Sequence, residues 1–330
     1  MKIGIVGVSG YGGSELLRLC ARHPVFEIAY VAGESTAGQR LAQRFPALAG
    51  HAAGALAIQP FVPERLPALD LLFVSLPTGK SREPLARVPK EIKLVDVGGD
   101  HRFAPDWTYG LTELPGQRAE ISHSARLANP GCYPAAALLA LAPLVKEALI
   151  EPERIVIDAK SGVSGAGRGG ASEFGYAETN EDLFGYGLEG HAHASEMEQA
   201  LGLLAGRRAS VAFTPHLVPM TRGLLATCYA RPRGSARAPH LYEAAEACYR
   251  GEPFVRIVPL QQGRGPHTRW ACASNAAFLA YGVNEATGLV VAIAAIDNLG
   301  KGAAGQALQN ANLMTGQPEG AGLEALPVWT

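Results

Sequence analysis

The chain has no excess of charge of either sign. Its 29 Lys and Arg stand against 30 Asp and Glu, a formal net charge of −1, so no basic field points to nucleic acid or to an anionic membrane surface. An acidic small molecule must then be held by a few local cations. No apolar run reaches the roughly 18–20 residues a membrane span requires. KIGIVGV at residues 2–8 reads at once as a strand, with no place for a signal peptide before it. No CxxC pair occurs either. The five cysteines, Cys20, Cys132, Cys228, Cys248 and Cys272, are odd in number and scattered. That argues against a disulfide framework or a structural zinc site and for reduced thiols in the cytoplasm. Internal repeats and low-complexity linkers are also missing. What remains is a chain of 330 residues, 48% hydrophobic and 18% charged, the size and composition of a two-domain cytoplasmic enzyme.

The pattern along the chain predicts an α/β fold. IGIVGV (3–8) is a short continuous apolar run, as a buried parallel strand requires. A glycine-rich turn and a helix closed by Pro24 follow, then strand-like runs at 26–32, 70–76 and 92–99. Strand, turn, helix and strand in that order predict a Rossmann-type doubly wound parallel sheet. Residues 33–69, rich in Ala, Gly and Pro, resist placement. After residue 130 comes an Ala/Leu-rich helix at 135–149. Strand candidates follow at 154–160, 209–214, 223–231, 254–258, 271–281 and 288–296. Several alternate or are β-branched, which predicts a mixed or antiparallel sheet in an α+β second domain. A last helix at 302–314 is placed to return to the first domain. The expected division is therefore 1–131 with 300–330 as a dinucleotide domain, and 132–299 as a catalytic and oligomerisation domain.

Gly7, Gly10, Gly12 and Gly13 lie in GVSGYGGSE, directly after the first strand and opening a helix. Glycine lets backbone approach a pyrophosphate, whose charge meets the helix N-terminus. The spacing is GxxGxxG rather than GxGxxG, so a ligand-free βα turn is the alternative. Ser9 and Tyr11 of the turn, and Leu76 and Pro77 after the third strand candidate, complete this cofactor set. Beyond the second strand, Glu34 would favour a free ribose hydroxyl, whereas Ser35, Thr36 and Arg40 suit a 2′-phosphate.

Cys132 stands apart from the other cysteines. Asn129-Pro130-Gly131-Cys132-Tyr133-Pro134 leads into a helix for which Pro134 is a natural first-turn residue. A thiol at a helix N-terminus feels the positive dipole end, which favours the nucleophilic thiolate. Cys20, Cys248, Cys228 and Cys272 read instead as small hydrophobes in helical or strand-like runs. His191 and His193, in GHAHASEMEQAL, are the acid–base candidates, just before a helix with Ser195 as the expected N-cap. The His-x-His pair has no further metal ligands nearby, so no metal is expected.

Four blocks together resemble the N-acetyl-γ-glutamyl-phosphate reductase family: MKIGIVGVSGYGGSELLRLC, NPGCYPAA, SGVSGAGR (161–168) and AIDNLGKGAAGQALQN (295–310). The matches run from residue 1 to about 316. The resemblance implies a Rossmann domain joined to an aspartate-semialdehyde-dehydrogenase-like domain, homo-oligomer formation, and an acyl phosphate of the arginine pathway as substrate. It also implies Cys132 as nucleophile and NADP as cofactor, with Ser161, Gly162 and Asn298 added to the cofactor set. Arg102, Asn129, Ser164, Arg168 and Lys301 are the substrate-binding candidates it suggests. The chain departs from the family in two places. Ala192 stands where an arginine separates the two histidines, and Asp100-His101-Arg102 where Asp-Phe-Arg is usual. The chemistry implied is a Cys132 thioester, reduced by hydride to a thiohemiacetal that collapses to the semialdehyde. A lysine-pathway reductase, acting on a carrier-bound aminoadipyl phosphate, and a dinucleotide sensor without turnover are the competing readings.

Overall fold

The computed structural model describes residues 1–168 and 176–328. It divides into two compact units. The first comprises Met1–Thr112, Gly116–Pro130 and Ala303–Glu324. The second comprises Glu113–Pro115, Gly131–Gly302 and the residues from Ala325 on.

The first unit holds six strands: β1 Lys2–Val6, β2 Glu27–Ala32, β3 Leu71–Val74, β4 Lys93–Asp96, β5 Thr108–Tyr109 and β6 Arg126–Ala128. Their order is β2-β1-β3-β4-β6-β5, with every pairing parallel. β3 is buried at all four positions, as expected for a sheet covered on both faces. Four of the unit's helices are α1 Tyr11–Cys20, α2 Leu41–Arg44, α3 Arg82–Ala86 and α4 Gln117–His123. The segment that resisted placement forms α2 and three short 3-10 turns.

The second unit holds β7 Ile155–Gly162, β8 Phe184–Gly185, β9 Val211–Val218, β10 Leu224–Ala230, β11 Val255–Ile257, β12 Ala277–Val283 and β13 Val290–Ile296. The order is β11-β12-β13-β10-β7-β9-β8, mixed in direction. β10 alternates buried and half-buried residues, the period-2 pattern of a sheet with one face packed. The run predicted from 271 starts as strand only at Ala277. Cys272 follows a 3-10 turn, because Asp297 takes up the Ala273 N–H that a ladder would use.

Helices α5 Cys132–Lys146, α6 Tyr176–Thr179, α7 Ala192–Ala205 and α8 Ala238–Cys248 belong to this unit, and α9 Gly305–Met314 returns to the first. α5 is buried on every side from Tyr133 to Val145, the mark of a central helix. Pro143 within it has no N–H for the Leu139 carbonyl, and the Tyr249 hydroxyl donates there at 2.7 Å. A gap in one helix is thus closed by a side chain from the loop after α8.

Candidate active site

In the first unit, β2, β1 and β3 are neighbours, so the turns leaving their C-terminal ends share one edge of the sheet. Gly7 has φ +78°, and a Cβ there would stand 2.0 Å from the Ser75 carbonyl oxygen. At Gly13 a Cβ would meet the Gly7 oxygen at 2.1 Å. Both positions therefore exclude a side chain and bring bare backbone to the start of α1, with Gly10 as its N-cap. Ser9 and Thr36 join the ends of β1 and β2 by a hydroxyl–hydroxyl hydrogen bond. Glu34, Ser35 and Arg40 are exposed, as is Pro77, while Leu76 is half-buried. A bare glycine turn at a helix N-terminus, flanked by hydroxyls, fits a dinucleotide pyrophosphate and ribose.

Beyond this edge the first unit uses its polar groups internally. Asn129 is fully buried; its amide donates to the Ala303 oxygen at 3.1 Å and accepts from Asn310 at 3.0 Å. Asn129 therefore presents no exposed atom to a substrate phosphate, contrary to expectation. Arg102 is half-buried and donates Nε to the Asn129 carbonyl at 3.0 Å. His101, at the departure from the family pattern, pairs with buried Asp96 at 2.6 Å and stacks on Trp107. Asp100 accepts from the N–H groups of Gly79, Ser81 and Arg82 and from the Ser81 hydroxyl. Burial alone would raise its pKa, but these donors outweigh burial and hold its carboxyl below the usual range.

In the second unit, Cys132 is the first residue of α5 and Gly131 its N-cap. The thiol is half-buried, whereas burial pushes the thiols of Cys20, Cys228 and Cys248 upward. Three groups converge on Gly131 and Cys132. The Glu196 carboxylate accepts the Gly131 N–H at 2.9 Å. His193 lies so close that a Cβ on Gly131 would stand 2.3 Å from its Nε2. Behind the cysteine, a Cβ on Gly302 would reach the Cys132 Cβ at 2.8 Å. His193 and Glu196 are three residues apart on α7, so one helical face presents both.

Ser195 is not the N-cap of α7; it lies inside the helix, which starts at Ala192. His191 caps instead, its Nδ1 accepting the His193 N–H at 3.1 Å. An imidazole that accepts at Nδ1 takes the cap's place more directly than a serine four residues further on. The two rings are 4.7 Å apart, and Tyr133, Tyr186 and Phe213 stand edge-on to His191. The Tyr133 hydroxyl donates to the His216 oxygen at 3.0 Å, and Tyr186 Oη lies 3.3 Å from it. Burial pushes the Tyr186 phenol up to about 12 and Tyr133 higher still, so both remain neutral.

Asn298 is buried; it accepts the Gly223 N–H and donates to Ser164 Oγ, both at 2.8 Å. Ser161 is buried beside Gly162, to whose oxygen it donates at 3.1 Å. Arg168 is exposed. Lys301 is not: it is fully buried, paired with Glu113 at 2.5 Å, with the Phe254 ring 5.7 Å from its Nζ. A buried ammonium needs a carboxylate, and this one is committed to Glu113 rather than held out to a ligand. Glu113, Glu196 and the aromatic rings around His191 went unnoticed in the sequence. Only Glu196 left a signal, its helical spacing from His193.

The all-parallel sheet of the first unit, with its bare glycine turn at a helix N-terminus, defines the class as an NAD(P)-binding oxidoreductase. Two family models match, the semialdehyde dehydrogenase NAD-binding domain over residues 2–123 and the semialdehyde dehydrogenase dimerisation domain over 132–298. The chain belongs to the semialdehyde dehydrogenase family. Within it, the chain is 56% identical over 330 residues to the N-acetyl-γ-glutamyl-phosphate reductase of Bradyrhizobium sp. strain BTAi1, covering 100% of this chain and 99% of that one. It is 42% identical to the enzyme of that name from Citrifermentans bemidjiense, covering 100% and 99%. Among solved structures, aspartate semialdehyde dehydrogenase II of Vibrio cholerae, complexed with ASA, has a TM-score of 0.74 at 17% identity, over 95% of this chain and 98% of that one. Aspartate semialdehyde dehydrogenase of Candida albicans, solved with NADP, has a TM-score of 0.75 at 15% identity over 95% and 98%. These two likenesses speak for the fold.

Proposed function

We infer that the chain is an N-acetyl-γ-glutamyl-phosphate reductase of arginine biosynthesis, acting through Cys132. The observation that carries the chemistry is Cys132 at the first position of α5, with His193 against the preceding Gly131. The identity to the named reductases over the whole chain supports the substrate.

His193 takes the thiol proton, and the Cys132 sulfur attacks the acyl-phosphate carbonyl. The C–O bond to phosphate breaks, phosphate leaves, and a thioester remains on Cys132. The Gly7–Gly13 turn would hold the nicotinamide cofactor, which when bound would supply the hydride that reduces the thioester. N–H groups opening α5 stabilise the oxyanion, and His193 protonates it to a thiohemiacetal. His193 then takes back that hydroxyl proton as the C–S bond breaks, releasing the semialdehyde and the thiolate. The acid–base role is assigned to His193 because its ring lies against Gly131, while the Nδ1 of His191 caps α7. Tyr133 and Tyr186, neutral at working pH, shield this chemistry from water.

NADPH is the preferred cofactor on this reading, with Ser35, Thr36 and Arg40, in the segment after β2, as the side chains that would meet its 2′-phosphate. Arg102 and Arg168 are the side chains proposed to meet the substrate's anionic groups. A second copy of the chain is the partner, the dimerisation-domain match supporting a homo-oligomer. Among the described residues no helix is long and apolar enough to cross a membrane, and five cysteines without a disulfide fit the cytoplasm.

The test runs the reaction backwards. Purified protein, N-acetylglutamate semialdehyde and inorganic phosphate are mixed with NADP⁺ or NAD⁺, and nicotinamide absorbance is followed. Reduction that needs phosphate and favours NADP⁺ supports the reading. Equal rates without phosphate defeat the acyl-phosphate assignment, and a faster reaction with NAD⁺ defeats the cofactor assignment.

A further inference from the structure

Asp297 is fully buried, yet its carboxylate gathers five donors. Oδ1 accepts the N–H groups of Leu299 and Gly300, each at 2.8 Å, and Oδ2 accepts that of Ala273 at 2.6 Å. Arg222 completes the set as a fork, Nε to Oδ2 at 2.8 Å and Nη2 to Oδ1 at 3.0 Å. A carboxylate so deep needs its cation, because removing one partner of a buried pair leaves the other charge uncompensated.

The turn this carboxylate winds ends at the nucleophile. The Asp297 carbonyl accepts the Gly302 N–H at 2.9 Å, and Gly302 is the residue without room for a Cβ against Cys132. A second strand of the same clamp runs beside the first. Gly223, next to Arg222, donates its N–H to the Asn298 side chain, and Asn298 in turn donates to Ser164. Two adjacent residues on one segment therefore hold two adjacent residues on another. One branch ends behind Cys132 and the other on Ser164, in the 3-10 turn that follows β7.

We propose that Arg222 is a positioning residue of the thiol chemistry, acting through Asp297 to set the backstop of Cys132 and the orientation of Asn298. Its role on this proposal is exerted through Asp297 rather than on the reacting atoms. Displacing a reacting atom by about 1 Å costs up to ~10²-fold in rate, and Gly302 leaves Cys132 no slack in that direction. The proposal rests on Cys132 being the nucleophile. Its test therefore reads the thiol directly as well as turnover.

Arg222→Met and Arg222→Lys are compared with the parent enzyme in kcat and KM for both substrates, in thermal midpoint, and in the pH dependence of Cys132 alkylation by iodoacetamide. Expected for Arg222→Met is a fall in kcat of roughly 10–100-fold with smaller changes in KM, and a shifted alkylation profile. Added guanidinium, below denaturing concentration, should restore part of the kcat, since the Arg222 side chain is 20% exposed and its place can be reached. Guanidinium weakens folding in general, so recovery cannot come from stabilisation. Arg222→Lys keeps the cation, and with it the fold, but loses the fork; an intermediate kcat is expected. Parent-like kcat and alkylation in Arg222→Lys, or in a folded Arg222→Met whose melting point alone has dropped, would overturn the proposal. A parent enzyme whose activity survives Cys132→Ser would instead overturn the reading beneath it.

Discussion

His191 Nδ1 accepts the backbone N–H of His193 at 3.1 Å, so two histidines of one motif do different work. The first ring ends a helix and needs an unprotonated Nδ1. The second sits on that helix and meets Gly131, the residue before Cys132. Asparagine caps helices as well as any residue. His191→Asn should therefore keep kcat within a few-fold, while His191→Ala costs about 1 kcal/mol of stability. His193→Gln should lower kcat by ~10²–10⁴-fold with an unchanged melting point. Steady-state rates and thermal melts of the three variants decide it; equal losses from His191→Asn and His193→Gln would refute the division.

Gly302→Ala places a methyl group 2.8 Å from the Cys132 Cβ. The cysteine must shift, so kcat should fall by at least about tenfold. Binding of NADPH, followed by its fluorescence, should persist because the glycine turn at Gly7 lies in the other unit. Full activity in this variant would show that the contact carries no constraint.

Cofactor choice is predicted to depend on the exposed segment after β2. Arg40→Ala removes a cation suited to a 2′-phosphate, and charged hydrogen bonds contribute roughly 1.5–3 kcal/mol. KM for NADPH should rise by about tenfold or more, with KM for NADH little changed. Parallel rises in both would disprove the assignment.

His23 links stability to pH. Its Nδ1 accepts the N–H groups of Val25 and Phe26 at 3.2 and 3.0 Å, and its Nε2 meets Asn312 Oδ1 at 3.0 Å. Burial lowers its pKa below 6.5, against the opposing pull of Asn312 and Glu324. The unfolded chain thus binds a proton in a window where the folded chain does not. Stability is fully present above about pH 6.5 and falls as pH drops toward the folded value. His23→Asn retains an acceptor and cannot titrate. Its urea midpoint should change less than the parent's between about pH 7 and pH 5, and an identical slope in both proteins would exclude His23 as the cause.

The legible parts of this protein were those written in short stretches of chain. The glycine turn declares itself because Gly7 and Gly13 must both clear nearby backbone, and only residues without a side chain do so. Cys132 declares itself because a helix start depends on the next three or four residues. The central helix and the alternating strands follow for the same reason, periodicity being a property of neighbours. Ser195 misled because a serine before a helical run is a common cap, and His191 took the position first.

Which polar groups serve the chemistry and which serve the fold was decided by contacts far apart in sequence. Lys301 and Glu113 are 188 residues apart, Arg222 and Asp297 75, Gly131 and Glu196 65. In the sequence Lys301 and Asn129 look like ligands for an anion; folded, both are buried among their own partners. A cation's neighbours determine whether its charge is spent or available, and those neighbours come from other elements of the fold. The amino-acid sequence determined the turn that meets a dinucleotide and the helix that presents a thiol, since both are local geometry. Only the tertiary structure decided that His193 rather than His191 faces the backbone before Cys132, because packing α7 against Gly131 brings together residues that no local pattern connects.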